Sequence, residues 1–312
     1  TGKESPMAIV GPQAVLKLIR EISVGEIRKQ AERVPRVVIC GTEEERESLR
    51  ALLGTGTRDE ADRARLEQAL VEVQCPLEKE EILRSIAAQV LFTVMPPDDT
   101  LRRLKVPVYR VSSQESLRRA GEQIAENQEE WLLSLGRHLP GLRPLLAEHL
   151  TATTSAANAQ IALISALPGI VPATQILLPT AAAADIVLLT KNQILLVLKL
   201  TAIYGKPVNS VARLWELAPV VGGAFGWRAL ARELVGAVPG GVGVVAKSAI
   251  AYAGTYTVGR AAQLYYERGK LPSVEERKRI YQETLDWAKE VAARMYARLR
   301  PNHEKEHGTS EG

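Results

Sequence analysis

Cysteine, histidine and aromatic side chains are scarce in this 312-residue chain, which has two Cys, four His and only 4% Phe, Trp and Tyr. Two cysteines exclude a disulfide-rich scaffold and any zinc site built from cysteine alone. Cys40 and Cys75 sit in apolar, strand-like surroundings and read as two buried, reduced thiols of a cytosolic domain. His138, His149, His303 and His307 form no metal-binding spacing with them, and His303 and His307 fall in a polar tail, PNHEKEHGTSEG. Without basic residues interleaved with aromatics there is no stacking platform for single-stranded nucleic acid. A net charge of +4 is too small for an obligate nucleic-acid binder. The opening TGKESPMAIV lacks the apolar core of a secretory signal, so none is expected. No Ser/His/Asp, Cys/His or paired-carboxylate arrangement stands out, and no catalytic residue, metal ligand or cofactor is assigned.

The charge that is present is unevenly spread. Residues 1–148 carry 22 Lys/Arg and 24 Asp/Glu, whereas residues 149–272 carry 10 and 4. From Leu150 to Ala184 no side chain is ionisable, a run of 35 residues. That exceeds the roughly 20 residues of a membrane-spanning helix, but Pro168, Pro172 and Pro179 cut it into shorter pieces. The positive surplus thus lies in the apolar half, beside helices, where a lipid surface or a partner helix is a better target than nucleic acid.

In the charge-rich half, strands and helices alternate. Apolar spacing predicts a helix over residues 13–34, ended by Pro35. Arg36 to Cys40 reads as a buried strand stopped by Gly41. Thr42 then caps a helix over Glu43 to Leu53. Residues 54–68 read as a loop followed by a charged helix, and a short strand at Val71–Val73 and a helix from Pro76 to Ala88 follow. QVLFTVM (89–95) is the clearest strand, and Val106 to Val111 is another. Ser112 or Ser113 caps a helix beginning near Glu115. This order predicts a small parallel α/β domain. Leu-rich helices broken near Pro140 and Pro144 connect it to the apolar half. There, Asp185 to Tyr204 reads as a helix ended by Gly205, and residues 234–259 form a small-residue segment suited to close helix contact. Residues 273–300 read as an amphipathic helix with a capping box formed by Ser273 and Glu276.

The strand–Gly–helix junction is where a phosphate-binding loop would sit. Such a loop needs G-x-x-x-x-G-K-[ST], with a Lys against the β/γ-phosphates. Here Gly41 and Ser48 are in place, but Arg46 replaces the second Gly and Glu47 replaces the Lys, with Glu43, Glu44 and Glu45 alongside. Two like charges about 4 Å apart repel by ~1 kcal/mol in water and several-fold more near a protein surface, so this stretch does not cradle a triphosphate. Val73-Gln74-Cys75-Pro76-Leu77 and Ser112-Ser113-Gln114-Glu115 stand where a D-T-P-G-like turn and an N-K-x-D motif would follow. The order of elements resembles a small Era-like GTPase domain with every nucleotide-contacting motif degraded; an unrelated βαβ domain with charged loops is the alternative. Neither implies GTP hydrolysis.

The second half carries Leu167-Pro168-Gly169-Ile170, then Asp185-Ile186-Val187-Leu188-Leu189-Thr190-Lys191-Asn192-Gln193, then Ala202-Ile203-Tyr204-Gly205. The Gly-rich Val238-Pro239-Gly240-Gly241-Val242-Gly243 and Tyr256-Thr257-Val258-Gly259-Arg260 follow. Residues 155–270 resemble the bacterial "domain of unknown function 697" family. That resemblance implies an attached Era-like GTPase domain, an active GTPase as partner and a link to the inner membrane, and it brings no catalytic residues. Three arrangements fit: a hairpin in or on the cytoplasmic leaflet, a soluble helical bundle turned at its Pro-Gly breaks, and a polytopic span, with Lys191, Lys199, Arg228, Arg232 and Lys247 interrupting the apolar runs. Asp185, Lys191 and Asn192 form a candidate polar cluster, either a buried partner site or a hydrogen-bonded helix crossing. Trp215 and Trp227 suit either the core or a membrane interface.

The expected fold is therefore an α+β two-part chain, a small parallel α/β domain followed by an apolar all-α domain. Its parts are an N-terminal helix (1–35), the degenerate GTPase-like domain (36–126), connecting helices (127–150), the apolar helical domain (151–271), and an amphipathic helix with a disordered tail (272–312). The expected function is a non-catalytic, membrane-associated or scaffold role at the cytoplasmic side, with protein partners or a second copy. The alternatives are an atypical nucleotide-binding regulator and a soluble helical scaffold.

Overall fold

The computed structural model describes residues 24–74, 87–97, 99–166, 179–208 and 242–299. Residues 13–23 of the first expected helix, residues 76–86 of the helix expected from Pro76, the Leu167–Ile170 segment, and Trp215 and Trp227 lie outside these, and Ala87 and Ala88, where that second helix is expected to end, are not helical. The chain divides into two compact units. One comprises Ser23–Leu150 with Leu198–Arg213; the described residues of the other lie within Thr151–Val197 and Leu214–Gly312.

The first unit opens with α1 (Val24–Glu32), then β1 (Val37–Gly41), α2 (Glu43–Leu53), α3 (Glu60–Ala69), β2 (Leu70–Gln74), β3 (Val90–Thr93), α4 (Asp99–Arg103), β4 (Val108–Arg110) and α5 (Gln114–Asn127). All four strands are parallel and run in the order β2-β1-β3-β4. The register pairs Val37 with Leu70 and with Val90, and Leu91 with Val108. Every residue of the two central strands is buried, whereas the edge strands are only partly so, as expected of a parallel sheet covered on both faces. Val38, Cys40 and Leu91 pack on one face with Leu101 and Leu104. The alternate residues Ile39 and Phe92 face the other way, and the Phe92 and Tyr109 rings lie 5.9 Å apart. Cys40 is disulfide-bonded, which corrects the reading of reduced thiols: the apolar pattern around it reports burial and says nothing of oxidation state.

After a turn at Glu129–Trp131, α6 (Leu132–His138) docks on α1. There Ser134 Oγ donates to the Arg33 carbonyl at 2.5 Å, and the Arg33 guanidinium lies 3.5 Å from the Trp131 ring centroid. A turn at Pro140–Leu142 leads into α7 (Arg143–Ile164). Pro144 does not break that helix; it occupies the first turn, where its missing N–H has no intrahelical partner to lose. The division between the units falls within α7, between Leu150 and Thr151, and again within α8 (Pro179–Ile203).

The second unit centres on α9 (Val242–Arg268), which forms a hairpin with α10 (Val274–Leu299). Gly269 ends α9 at φ +72°, the left-handed conformation that favours glycine, and its N–H donates to the Tyr265 carbonyl at 2.8 Å. Ser273 Oγ accepts from the Glu276 N–H at 3.1 Å, but the Glu276 carboxylate pairs with Arg268 at 2.7 Å instead of closing the expected capping box. Across α10, Tyr281, Thr284, Ala288 and Ala292 are buried at helical spacing, and Tyr281, Ala288 and Ala292 cluster with Ala249, Tyr252 and Ala253 of α9. From Ser248 to Tyr266 α9 is buried on nearly every side, which explains why it has no amphipathic stripe. Its buried alanines and Gly259, where a Cβ would lie 2.5 Å from Thr151 Cγ2, allow the close approach. Among the described residues no helix is long and apolar enough to cross a membrane.

Candidate functional site

In an open parallel sheet, ligands bind outside the carboxyl ends of the strands where the strand order reverses. Here that point lies between β1 and β3. The residues there do not form a loop. Gly41 ends β1, Thr42 is the only residue before α2, and Arg46, Glu47 and Ser48 all lie on the helix, the last two exposed. Thr42 Oγ1 accepts from the Glu45 N–H at 3.3 Å, and a Glu45 carboxylate oxygen accepts from the Thr42 N–H at 2.8 Å. This capping box satisfies two of the orphan donors at the start of α2. A Cβ at position 41 would lie 2.6 Å from Glu45 Oε2, so the glycine makes room for the chain's own carboxylate.

Arg46 turns back from α2, donating to the Gly41 carbonyl at 2.7 Å and to Glu72 of β2 at 3.0 Å. Arg50 pairs with Glu67 and Glu72. The basic residue standing in place of the second loop glycine therefore ties the helix to the edge strand. The Ser112–Glu115 segment is likewise a helix cap: Ser113 Oγ accepts from the Ser116 N–H at 3.2 Å, and Ser116 Oγ accepts from the Ser113 N–H at 2.9 Å. Cys75, Pro76 and Leu77 lie outside the described residues.

Of the candidate polar cluster in the second unit, Asn192 enters a buried network. Its Nδ2 donates to Asn158 Oδ1 at 2.7 Å, and Asn158 Nδ2 donates to Thr255 Oγ1 at 2.8 Å. Gln193 Nε2 reaches the same hydroxyl at 3.2 Å, while its Oε1 is buried with no hydrogen-bond partner. Lys191 is half-buried and makes none of these bonds, and the Asp185 side chain is outside the described residues. Elsewhere along the same helices Gln263 Nε2 donates to Thr151 Oγ1 at 2.8 Å, and Ser248 Oγ to the Ala159 carbonyl at 2.8 Å. Thr151, Ser155 and Asn158 recur at positions i, i+4 and i+7 of the uncharged run, which places them on one helix face; that polar stripe was the available signal for the network.

The first unit holds a second cluster that no motif announces. Asp62 of α3 faces the Arg143 guanidinium, with Oδ2 accepting from Nη1 and Oδ1 from Nη2, both at 2.6 Å. Arg65 Nη2 also donates to Oδ1, at 2.5 Å. Arg143 Nε donates to the Gly136 carbonyl at 3.0 Å. Burial pushes the Asp62 carboxyl upward, but the hydrogen bonds and charge of Arg143, then those of Arg65, outweigh it and hold the pKa at about 2. His138 beside them is held at about 4, first by burial, then by the charges of Arg137, Arg65 and Arg143, against the opposing bond to Ser134. Its Nδ1 lies 2.8 Å from the Ser134 carbonyl, an acceptor, so Nδ1 carries the proton.

Among the described residues no group of three or more His, Cys, Asp or Glu could hold a metal ion. Comparison with protein-family models, with curated proteins and with solved structures found no match for this chain.

Proposed function

We propose that the protein is a non-catalytic interaction protein. In this reading the α/β unit binds another protein, and the helical unit docks to a membrane surface or pairs with a second copy. The observation that carries it is the Thr42–Glu45 capping box. The helix N-terminus at the end of β1, where an open α/β sheet would offer its dipole to a phosphate, is occupied by the chain's own carboxylate. The element order and the small-residue helices support an active GTPase as partner through the resemblances set out above. The expected result is that GTP with magnesium gives no stoichiometric binding in calorimetry; saturable magnesium-dependent binding would sink this reading.

A soluble helical scaffold is the second reading. It is favoured by α9, whose Ser248, Thr255 and Tyr252 contact α7, α8 and α10. Flotation with anionic vesicles decides between the two: co-migration with the lipid supports surface docking, and recovery solely in the dense fraction supports the scaffold.

A further inference from the structure

The cluster around Asp62 contains more positive charge than its carboxylate answers. Asp62 already accepts four N–H groups, two from Arg143, one from Arg65 and one from the Arg58 backbone at 3.3 Å. It has nothing left for Arg137. Arg137 makes no ion pair among the described residues, and its Nη1 reaches only the Ala202 and Lys206 carbonyls, at 3.4 and 3.5 Å, too long to be strong bonds. Arg65 Nε is buried with no acceptor at all. The two guanidiniums approach the turn after α8: a Cβ on Gly205, which has φ +72°, would lie 2.6 Å from Arg65 Nη2 and 3.4 Å from Asp62 Oδ1, and Arg137 Nη1 reaches the Ala202 and Lys206 carbonyls on either side. Lys206 adds a third cation at the rim, 37% exposed and 4.0 Å from Asp59.

We propose that Arg65, Arg137 and Lys206 form a binding site for a phosphate-type oxyanion at the 202–206 turn. Planar guanidiniums with free N–H groups match a tetrahedral oxyanion, and a partly desolvated site strengthens the attraction. Burial, then the charge of Arg65, lowers the Arg137 pKa against the partial opposition of the Glu32 and Asp62 carboxylates, the direction that a bound anion would relieve. The site is separate from the α2 N-terminus and does not rest on the interaction reading.

The test uses the full chain with inorganic phosphate as probe. Phosphate is expected to raise the melting temperature saturably at constant ionic strength, where chloride does not. The ³¹P resonance should broaden with one site per chain. Arg137→Gln should lose both responses, and Arg118→Gln, on the exposed face of α5, should keep them. A phosphate shift no larger than that of chloride, or one undiminished in Arg137→Gln, overturns the proposal. Should Arg137→Gln fail to fold, the ³¹P measurement on the unaltered chain decides alone, because an unbroadened resonance rejects the site. A GTP signal lost in Arg137→Gln belongs to this site, whereas a magnesium-dependent one that survives the substitution counts against the function proposed above.

Discussion

Asp62 and Arg143, 81 positions apart, meet in a two-pronged ion pair in which both side chains are under 5% exposed. The pair joins α3 to the start of α7. Removing one partner leaves the other charged and buried, which costs about 3–5 kcal/mol. Asp62→Asn is therefore expected to lower the urea midpoint sharply. The double variant Asp62→Leu/Arg143→Met should cost less than the sum of its single changes, because Arg143 is no longer left charged opposite an apolar side chain, and the cost that remains is that of Arg65, which loses its carboxylate in either case.

The same cluster sets the acid limit of the fold. His138 has a folded-state pKa of about 4, below its ordinary value of 6.5. The unfolded chain therefore takes up the proton first, and stability falls as pH drops from about 6.5 to about 4. Asp62, held at about 2 against 3.8, contributes stability above its unfolded pKa that is lost as pH falls through the folded one. Denaturation followed from pH 7 to pH 3 should show the first loss on the order of 2–3 kcal/mol. His138→Gln should flatten that part of the profile and leave the Asp62 part in place.

Gly259 lies inside α9, where alanine would ordinarily gain about 1 kcal/mol through helix propensity. Its Cβ would lie 2.5 Å from Thr151 Cγ2 and 2.6 Å from Thr151 Oγ1. Thr151 is fully buried and its hydroxyl accepts from Gln263, so it cannot yield without breaking that bond. Overpacking costs about 1–3 kcal/mol and wins. Gly259→Ala is expected to lower the melting temperature, contrary to propensity.

Asn158 holds the polar network of the helical unit together through Asn192 and Thr255. Asn158→Leu strips both of that partner and should cost about 1–3 kcal/mol in chemical denaturation, the range for buried groups left unsatisfied. Asn158→Asp, which adds a buried charge, should cost more at pH 7 than at pH 4, where the carboxyl can neutralise.

Much of the fold was legible along the chain because its signals are local. Gly41 and the run before it mark β1, Thr42 with Glu45 marks the start of α2, and four apolar runs separated by charged helices mark a parallel sheet. Glu43–Leu53 was bounded correctly from its cap and its leucines alone. The capping box expected at Ser273 was half right, because the reach of Glu276 to Arg268 depends on where the preceding helix ends. The Gly41–Ser48 spacing marks where a phosphate loop would sit, but Thr42 and the helix pattern from Glu43 leave no residues for a loop, because a motif's spacing does not say what backbone conformation its residues take. Asn192 was singled out by its polarity in an apolar run, but its partners Asn158 and Thr255 are remote in sequence.

What the sequence by itself determined is thus the kind and order of elements, together with the contrast between a charged α/β half and a charge-poor helical half. These follow from periodicity and capping, which act over a few residues. Only the tertiary structure decided the strand order, the self-occupied end of α2, the Asp62–Arg143 pair and the Arg137 guanidinium beside it, left without an ion pair among the described residues. Each of those depends on groups far apart in the chain, whose mutual burial and charge balance arise only when packing brings them within a few ångströms.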